Sequence, residues 1–127
     1  MIDMPVTMHK IEVGQFSHQV TPHGKAGPAI EGFSGLRHGI NDYTSWFAGD
    51  ADMAGQYFGY DGPCPPWNDA IVHRYVFILY ALDIEHFPVN GKFTGQEVRD
   101  AMRGHILAEE KLIGLSTLNP ALLPASV

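Results

Sequence analysis

The sequence predicts a mainly β protein built as one domain with many turns. Its length of 127 residues is typical of a single domain. It contains 14 glycines and 9 prolines, together about 18% of the chain against roughly 12% in an average protein, which favours turns and strands over a helical bundle. Residues 76–82 also form a continuous apolar run in which β-forming side chains dominate.

The first half of the chain is predicted to be rich in loops. Residues 1–4 fit the end of a strand that Pro5 closes, and residues 9–56 form a long variable loop that glycines interrupt throughout. Asp50 and Asp52 flank a short turn, for which a solvated turn is favoured over a metal site. We expect aromatic side chains to hold this region on the core. They are Phe33, Tyr43, Trp46, Phe47, Tyr57 and Phe58.

Residues 73–83 are the strongest strand candidate. The apolar run inside this segment is continuous rather than alternating, and a continuous run indicates burial on both faces. The pattern therefore predicts a central strand of a sheet.

A helix is predicted to begin at Thr94. Thr94 and Glu97 have the spacing of a capping box, and Gly104 is expected to break the helix that follows. On pattern alone, residues 109–117 fit either an extension of that helix or a final strand. Residues 121–127 are predicted to be a flexible tail.

The charge and the cysteine content exclude several classes of protein. The net charge is −6 and the eight basic residues are scattered, which argues against a nucleic-acid-binding protein. No run approaches the roughly 18 apolar residues that span a bilayer, so we predict no membrane span. The single cysteine, Cys64, excludes an internal disulfide and is expected to be a small filling group. We expect a cytoplasmic protein.

One motif suggests a specific chemistry. Residues 59–66 read GYDGPCPP, and His73-Arg74-Tyr75 follows at the start of the apolar run. Glycines expose backbone N–H groups and prolines fix the path of the chain, while histidine and arginine donate hydrogen bonds to anions. The motif predicts a small pocket for a phosphate or a carboxylate group.

With these residues the chain resembles the phosphatidylethanolamine-binding protein family, in its bacterial branch of Raf kinase inhibitor-like proteins. Residues 57–119 carry the resemblance through the motif above and through residues 80–83, 104–109 and 112–115. The resemblance implies an antiparallel β-sandwich in Greek-key order with one or two short flanking helices, and it favours a strand over residues 109–117. It also implies a non-enzymatic binder of a small anion or a phosphoryl head group.

The resemblance carries roles over to particular residues. It implies no catalytic residue and no cofactor, and the spacing of the histidines does not fit a zinc site. The implied ligand-binding residues are His73, Tyr75, Gly62, Pro63, Pro65, Pro66 and Tyr60. The residues implied to be structural near the site are Arg74, Asp61 and Trp67. Strand alternation puts Arg74 on the face opposite to His73 and Tyr75, so we expect a buried carboxylate such as Asp61 or Asp83 to hold it. His105, near the helix end, is interpreted as structural.

One part of the family pattern is missing. The second wall of the family pocket carries an Asp-Pro-Asp-x-Pro motif, and no Asp-Pro dipeptide occurs in this chain. The sequence therefore resembles the C-terminal two-thirds of a family member, and we expect an incomplete sandwich.

Three alternatives stay open. The first alternative is a protein–protein interaction module, such as a kinase or protease inhibitor or a homodimer, that docks through the loop around Trp46 and Phe47. The second alternative is an incomplete domain without independent activity. A hydrolase that uses His73 with Asp61 or Asp69 is disfavoured because no nucleophile elbow is present.

Overall fold

The computed structural model describes residues 1–123 and is mainly β with few helices. Its strands are β1 (Ala29–Ile30), β2 (Phe33–Arg37), β3 (His73–Leu82) and β4 (Ile106–Ser116), and its α-helices are α1 (Tyr43–Trp46) and α2 (Gly95–Met102). Pro120–Leu122 forms one 3-10 turn, at the start of the predicted tail; residues 124–127 of that tail lie outside the described residues. No helix within residues 1–123 has the length and hydropathy needed to cross a bilayer.

The chain divides into two compact units. The larger unit comprises Met1–Gly62 and Asp83–His105. The smaller one, called here the hairpin unit, comprises Pro63–Leu82 and the described residues from Ile106 onward. The core of the larger unit consists of Ile2, Leu36, Tyr57, Phe58, Phe87, Val89, Phe93 and Met102.

The hairpin unit contains an antiparallel pair of long strands. β3 and β4 pair from His73 opposite Ser116 to Leu82 opposite Ile106, with one register shift between Ala81 and Leu82. The strand predicted over residues 73–83 is therefore confirmed, and so is the final strand that the family resemblance favoured.

The predicted burial of β3 on both faces is wrong. Val76 is 51% exposed, Ile78 41% and Leu79 60%. The described sheet contains only β3 and β4, so β3 is not a central strand. A continuous apolar run shows that a strand tolerates burial on both sides, but it does not supply the layers that would cover it.

The predicted helix is confirmed, with the predicted start and end. The Thr94 hydroxyl accepts a hydrogen bond from the backbone N–H of Glu97 at 3.2 Å, which satisfies one of the free donors of the first turn. Val98 and Met102 lie four residues apart, and Met102 is buried. The helix ends just before Gly104, whose φ of +80° belongs to the left-handed region that terminates helices.

The long loop contains more structure than predicted. It includes β1, β2 and α1, and the rings of Tyr43 and Phe47 pack against the buried Tyr57. Trp46 is 74% exposed, so its expected role in holding the loop on the core is wrong. Asp50 lies in a solvated turn, where its carboxylate accepts from the N–H groups of Asp52 and Met53.

A nearly buried ion pair connects three distant segments of the larger unit. Asp3 accepts from Nε and Nη2 of Arg37 at 2.9 and 2.7 Å, and its other oxygen accepts from the N–H of Phe87 at 2.8 Å. Arg37 also donates to the carbonyls of Phe87 and Val89. The two side chains are only 9% and 14% exposed, so little water competes for these bonds.

The substitution Asp3→Asn tests the importance of this pair. It keeps the shape of the side chain and, like Asp, tolerates the positive φ of 57° at this position. We expect a loss of about 3 kcal/mol in the free energy of unfolding, because the Arg37 charge stays buried without its partner. Urea unfolding of the wild type and the variant measures it.

The control is Asp100→Asn. Asp100 pairs with Arg103 at 3.2 Å, but the side chains are 54% and 80% exposed. An exposed pair of this kind contributes about 0.5 kcal/mol. Equal losses in the two variants would contradict the role given to Asp3.

Candidate functional site

The first half of the predicted motif forms a tight corner at the end of a buried segment. Tyr57 and Phe58 anchor it, and Gly59 donates its N–H to the carbonyl of Gly39 at 2.8 Å. Gly59 has a φ of +82°, and a Cβ at this position would lie 2.4 Å from Nδ1 of His38. Only glycine satisfies both constraints, so the position of the corner depends on this residue.

Asp61 is the buried charge of the corner. Asn41 donates to its Oδ2 at 2.7 Å, and the Lys25 ammonium lies 3.7 Å from its Oδ1. Lys25 also donates to the carbonyls of Phe16 and Tyr60 at 2.8 and 2.5 Å. The ammonium therefore connects the backbone of the corner at Tyr60 with the backbone at Phe16, and it offsets the charge of Asp61.

The two carboxylates expected to hold Arg74 have other partners within the larger unit. Asp61 is held by Lys25 and Asn41, and Asp83 by the imidazole of His105 at 2.7 Å. Arg74 is exposed on the hairpin. Lys25 and Asn41 were missed because each stands alone in the sequence, and no spacing connects them with a carboxylate 36 or 20 residues away.

The ring of His38 lies against Gly59 of the corner, and the sequence analysis did not assign this residue to the site. It is 7% exposed, its Nε2 bonds the carbonyl of Ala26 at 2.9 Å, and its ring stacks on Phe58. Burial lowers the pKa of His38, because the charged imidazole would lose its hydration, and the nearby Lys25 lowers it further. The bond to Ala26 acts in the opposite direction and does not reverse the shift.

The second half of the motif lies in the hairpin unit. His73 stands at the first residue of β3, and its Nε2 lies 2.5 Å from Oδ2 of Asp69. The side chains are 31% and 38% exposed, so both are within reach of solvent. Asn119 donates to the carbonyl of Asp69 at 2.9 Å and holds the carboxylate segment against the hairpin end. Tyr75 is half-buried and shares the face of His73.

The proline-rich segment has one buried member. Pro65 is buried, whereas Pro63 and Pro66 are exposed. Cys64 is a free and exposed thiol, so the expectation that it fills a gap is wrong. Trp67 is 73% exposed, which excludes a core role for its ring.

The ten predicted residues divide between the two units. Tyr60, Asp61 and Gly62 belong to the larger unit. The other seven belong to the hairpin unit; they are Pro63, Pro65, Pro66, Trp67, His73, Arg74 and Tyr75. Within the hairpin unit the structure brings His73 together with Asp69, a residue that the resemblance did not assign. The participation of each of the seven implied ligand-binding residues in a ligand site stays a prediction.

The other candidate sites are a possible metal site and a surface depression. In the part of the chain that the structure describes, no group of three His, Cys, Asp or Glu side chains is arranged to hold a metal ion. An open depression of about 400 Å³ in the larger unit contains none of the predicted site residues. It is lined by Pro5, Thr7, Met8, His9, Lys10, Gln15 and Phe33.

The chain is similar to one family of known proteins and to several individual relatives. The family described as phosphatidylethanolamine-binding protein matches residues 1–117. A UPF0098 protein of Methanothermobacter thermautotrophicus is 52% identical over 57 residues, which are 45% of this chain and 35% of that protein. One from Aquifex aeolicus is 34% identical over 88 residues, 69% of this chain and 44% of that protein. The matched segments thus span less than half the length of these relatives. No solved structure matches the chain.

The neutral state of His38 predicts a pH dependence of stability. Above pH 6.5, the ordinary pKa of histidine, this side chain is neutral in both the folded and the unfolded state. As the pH falls below 6.5 the unfolded chain takes up a proton first, because the pKa is lower in the folded state. Stability is therefore full above pH 6.5 and falls from there toward the lower folded pKa, by at most about 1.4 kcal/mol per pH unit.

His38→Gln removes this titration. We expect the loss of stability between pH 7.5 and pH 5.5 to be smaller in the variant than in the wild type, whatever the variant's stability at pH 7.5. Urea unfolding at the two pH values gives the two differences. If both proteins lose the same amount on acidification, His38 is not the group responsible.

Proposed function

Because the chain belongs to the phosphatidylethanolamine-binding protein family, we propose that it is a non-enzymatic binding protein for small anionic or phosphorylated ligands. The observation that supports this function best is the His73–Asp69 pair at the start of β3. It holds an imidazole in a fixed orientation, partly open to solvent, with the half-buried Tyr75 on the same face. Fixed donors need little reordering when a ligand arrives, which favours binding of a small group.

The orientation of His73 determines the chemistry we propose. A carboxylate accepts only, so the short contact to Asp69 uses a proton on Nε2. In the neutral imidazole Nδ1 then carries no hydrogen and cannot donate to an anion. An anion is bound when Nδ1 also carries a proton, and the imidazolium then donates to Asp69 on one side and to the ligand on the other.

The proline-rich segment fits the same role in our proposal. Pro63, Pro65 and Pro66 have no N–H group and fix φ, so the segment enters the hairpin unit with little conformational freedom. The buried Pro65 anchors it between two exposed prolines. We assign the rim of the ligand site to this segment, in line with the family pattern.

The arrangement of the strands, the branch of the family and the cellular location are also proposed. We infer that β3 and β4 are neighbouring strands of one sheet in an antiparallel sandwich of Greek-key order, and that the protein is a cytoplasmic member of the Raf kinase inhibitor-like branch. A free, exposed Cys64 is typical of a reducing compartment. Because the matched segments cover less than half of the relatives, activity of a whole family member is a proposal for this chain.

A second candidate is a protein-interaction module of the kinase- or protease-regulating kind. The exposed indoles of Trp46 (74%) and Trp67 (73%) favour it, since tryptophan is enriched at the energetic centres of protein interfaces. The two candidates differ in their ligand, because the second needs no small anion.

Calorimetric titration with inorganic phosphate and with phosphoethanolamine tests the leading proposal. We expect a measurable heat of binding with both ligands, because the fixed imidazole donates a hydrogen bond to the anion. His73→Ala is expected to weaken binding at least tenfold, since a hydrogen bond to a charged group contributes roughly 1.5–3 kcal/mol.

His105→Ala is the matched control. His105 also bonds an aspartate, Asp83, and its side chain is 43% exposed, but it lies in the larger unit. Its loss should leave phosphate binding unchanged. Absence of any phosphate heat in the folded wild type would reject the proposal, as would equal affinity in the His73→Ala variant.

A further inference from the structure

We propose that Asn90 is a site of self-modification, at which the side-chain amide is lost and part of the product carries its backbone through the former side chain. Asn90 and Gly91 are exposed and lie in an irregular segment of the larger unit, shortly before α2. The reaction uses these two residues and a water molecule, so it requires no partner. The proposal is independent of the ligand discussed above.

The chemistry follows from the two adjacent residues. Asparagine is one of the chemically labile side chains of proteins. The backbone nitrogen of Gly91 loses its proton and attacks Cγ of Asn90, while the bond from Cγ to the side-chain nitrogen breaks. Ammonia leaves with that proton, and a five-membered succinimide ring remains. No oxidation or reduction takes place.

Water opens the ring to give two products. Attack at the side-chain carbonyl breaks its bond to the Gly91 nitrogen and leaves an ordinary aspartate at position 90. Attack at the backbone carbonyl leaves isoaspartate, in which the chain continues through Cβ and Cγ. Both products gain a carboxylate. The isoaspartate also lengthens the backbone by one C–C bond, about 1.5 Å.

Gly91 makes the attacking nitrogen accessible. Glycine has no Cβ, which in any other residue would crowd this nitrogen. Its φ of +62° is typical of the turns in which asparagine and glycine follow each other. Apart from the two chain neighbours of Gly91, no atom of residues 1–123 lies within 4 Å of the place where a Cβ would stand. The segment therefore leaves room for the ring.

Two other asparagines are protected by their surroundings. Asn119 precedes Pro120, whose nitrogen has no proton to lose and cannot form the ring. Asn41 donates its side-chain nitrogen to two acceptors at 2.9 and 2.7 Å, and its Oδ1 accepts from the N–H of Tyr43. The amide of Asn41 is therefore held in place.

Asn68 is the matched comparison within the same chain. Like Asn90, it is exposed and lies outside the helices and strands. The next residue, Asp69, carries a side chain, and its N–H donates to the carbonyl of Pro66 at 3.2 Å. We expect the reaction at Asn68 to be about tenfold slower or more, because this hydrogen bond must break before the nitrogen can attack.

The isoaspartate is expected to disturb the larger unit because the site lies between two anchored residues. Val89 and Phe93 are 8% and 1% exposed. The carbonyl of Val89 accepts from Arg37, and that of Phe93 accepts from the N–H of Ile40 at 2.8 Å. An added backbone bond between these points must displace one of the contacts. An aspartate at position 90 leaves the backbone unchanged.

Incubation of the 127-residue chain at physiological temperature and mildly alkaline pH tests the proposal. Peptide mapping by mass spectrometry follows the replacement of the amide by a carboxylate at each asparagine. We expect product at Asn90 first, and about tenfold more slowly or less at Asn68. Asn90→Gln is the control, because its amide would need a six-membered ring, and it should stay unmodified at this position.

Urea unfolding gives a second readout. Ion exchange separates the modified from the unmodified chains, and peptide mapping identifies the aspartate and isoaspartate forms. Asn90→Asp carries the new charge without the added bond. We expect the aspartate form to match Asn90→Asp, and the isoaspartate form to unfold at a lower urea concentration. Asn90→Gln should keep its midpoint through the same incubation.

Each other outcome overturns a defined part of the proposal. An Asn90 that stays intact, or reacts no faster than Asn68, shows that this segment is not a preferred site. Aspartate without isoaspartate contradicts the rerouted backbone. An isoaspartate form as stable as Asn90→Asp shows that the segment between Val89 and Phe93 accommodates the added bond without loss.

Discussion

The Asp3–Arg37 ion pair is the constraint on which the larger unit depends. Arg37 has five donors in a rigid plane, and four of its bonds reach Asp3 and the carbonyls of Phe87 and Val89. These partners lie 34 to 52 residues away from Arg37 along the chain. Few apolar side chains of this unit are fully buried. The nearly buried hydrogen bonds of Arg37 and Asp3 therefore contribute to holding its segments together.

The position of the glycine corner follows from this network. Arg37 is followed directly by His38, whose ring forms the surface on which Gly59 packs, and Asn41 then bonds both Gly59 and Asp61. His38 and Asn41 thus both contact the corner, and both follow closely after the end of β2 in the sequence. A neutral His38 suits this role, since a buried imidazolium beside Lys25 would add an unbalanced positive charge.

The parts of the fold that the sequence predicts are those with local causes. The Thr94–Glu97 spacing sets the start of α2 because a cap is made within one turn, and the β-forming run sets the limits of β3. The prediction of β4 depended on the family resemblance, because the pattern of Gly114 and its apolar neighbours fits the period of a helix and that of a strand equally well. Contacts over long separations have no such local cause, and Lys25 with Asp61 is the clearest case.

Burial and exposure were harder to predict for the same reason. The apolar character of residues 76–82 is a property of the strand, whereas its coverage is a property of other segments or other molecules. Trp46 and Cys64 were assigned to the interior from residue type and are exposed. At the site, the motif identified His73, but its partner Asp69 lies in the irregular segment before β3, where no periodicity indicates which side chains meet.

Under the proposed function, the charge distribution narrows the kind of anion that the chain would bind. With a net charge of −6, the protein as a whole repels anions, so attraction must come from local donors. Two of the eight basic side chains, Lys25 and Arg37, are already committed to buried carboxylates. The His73 imidazole is itself next to a carboxylate, so its pair with Asp69 is at most neutral toward a ligand. A polyanion would gain little from one such donor and would be repelled by the net negative charge of the protein. A small group that contacts the imidazole alone avoids that repulsion, which is why we expect selectivity for single phosphoryl or carboxylate groups.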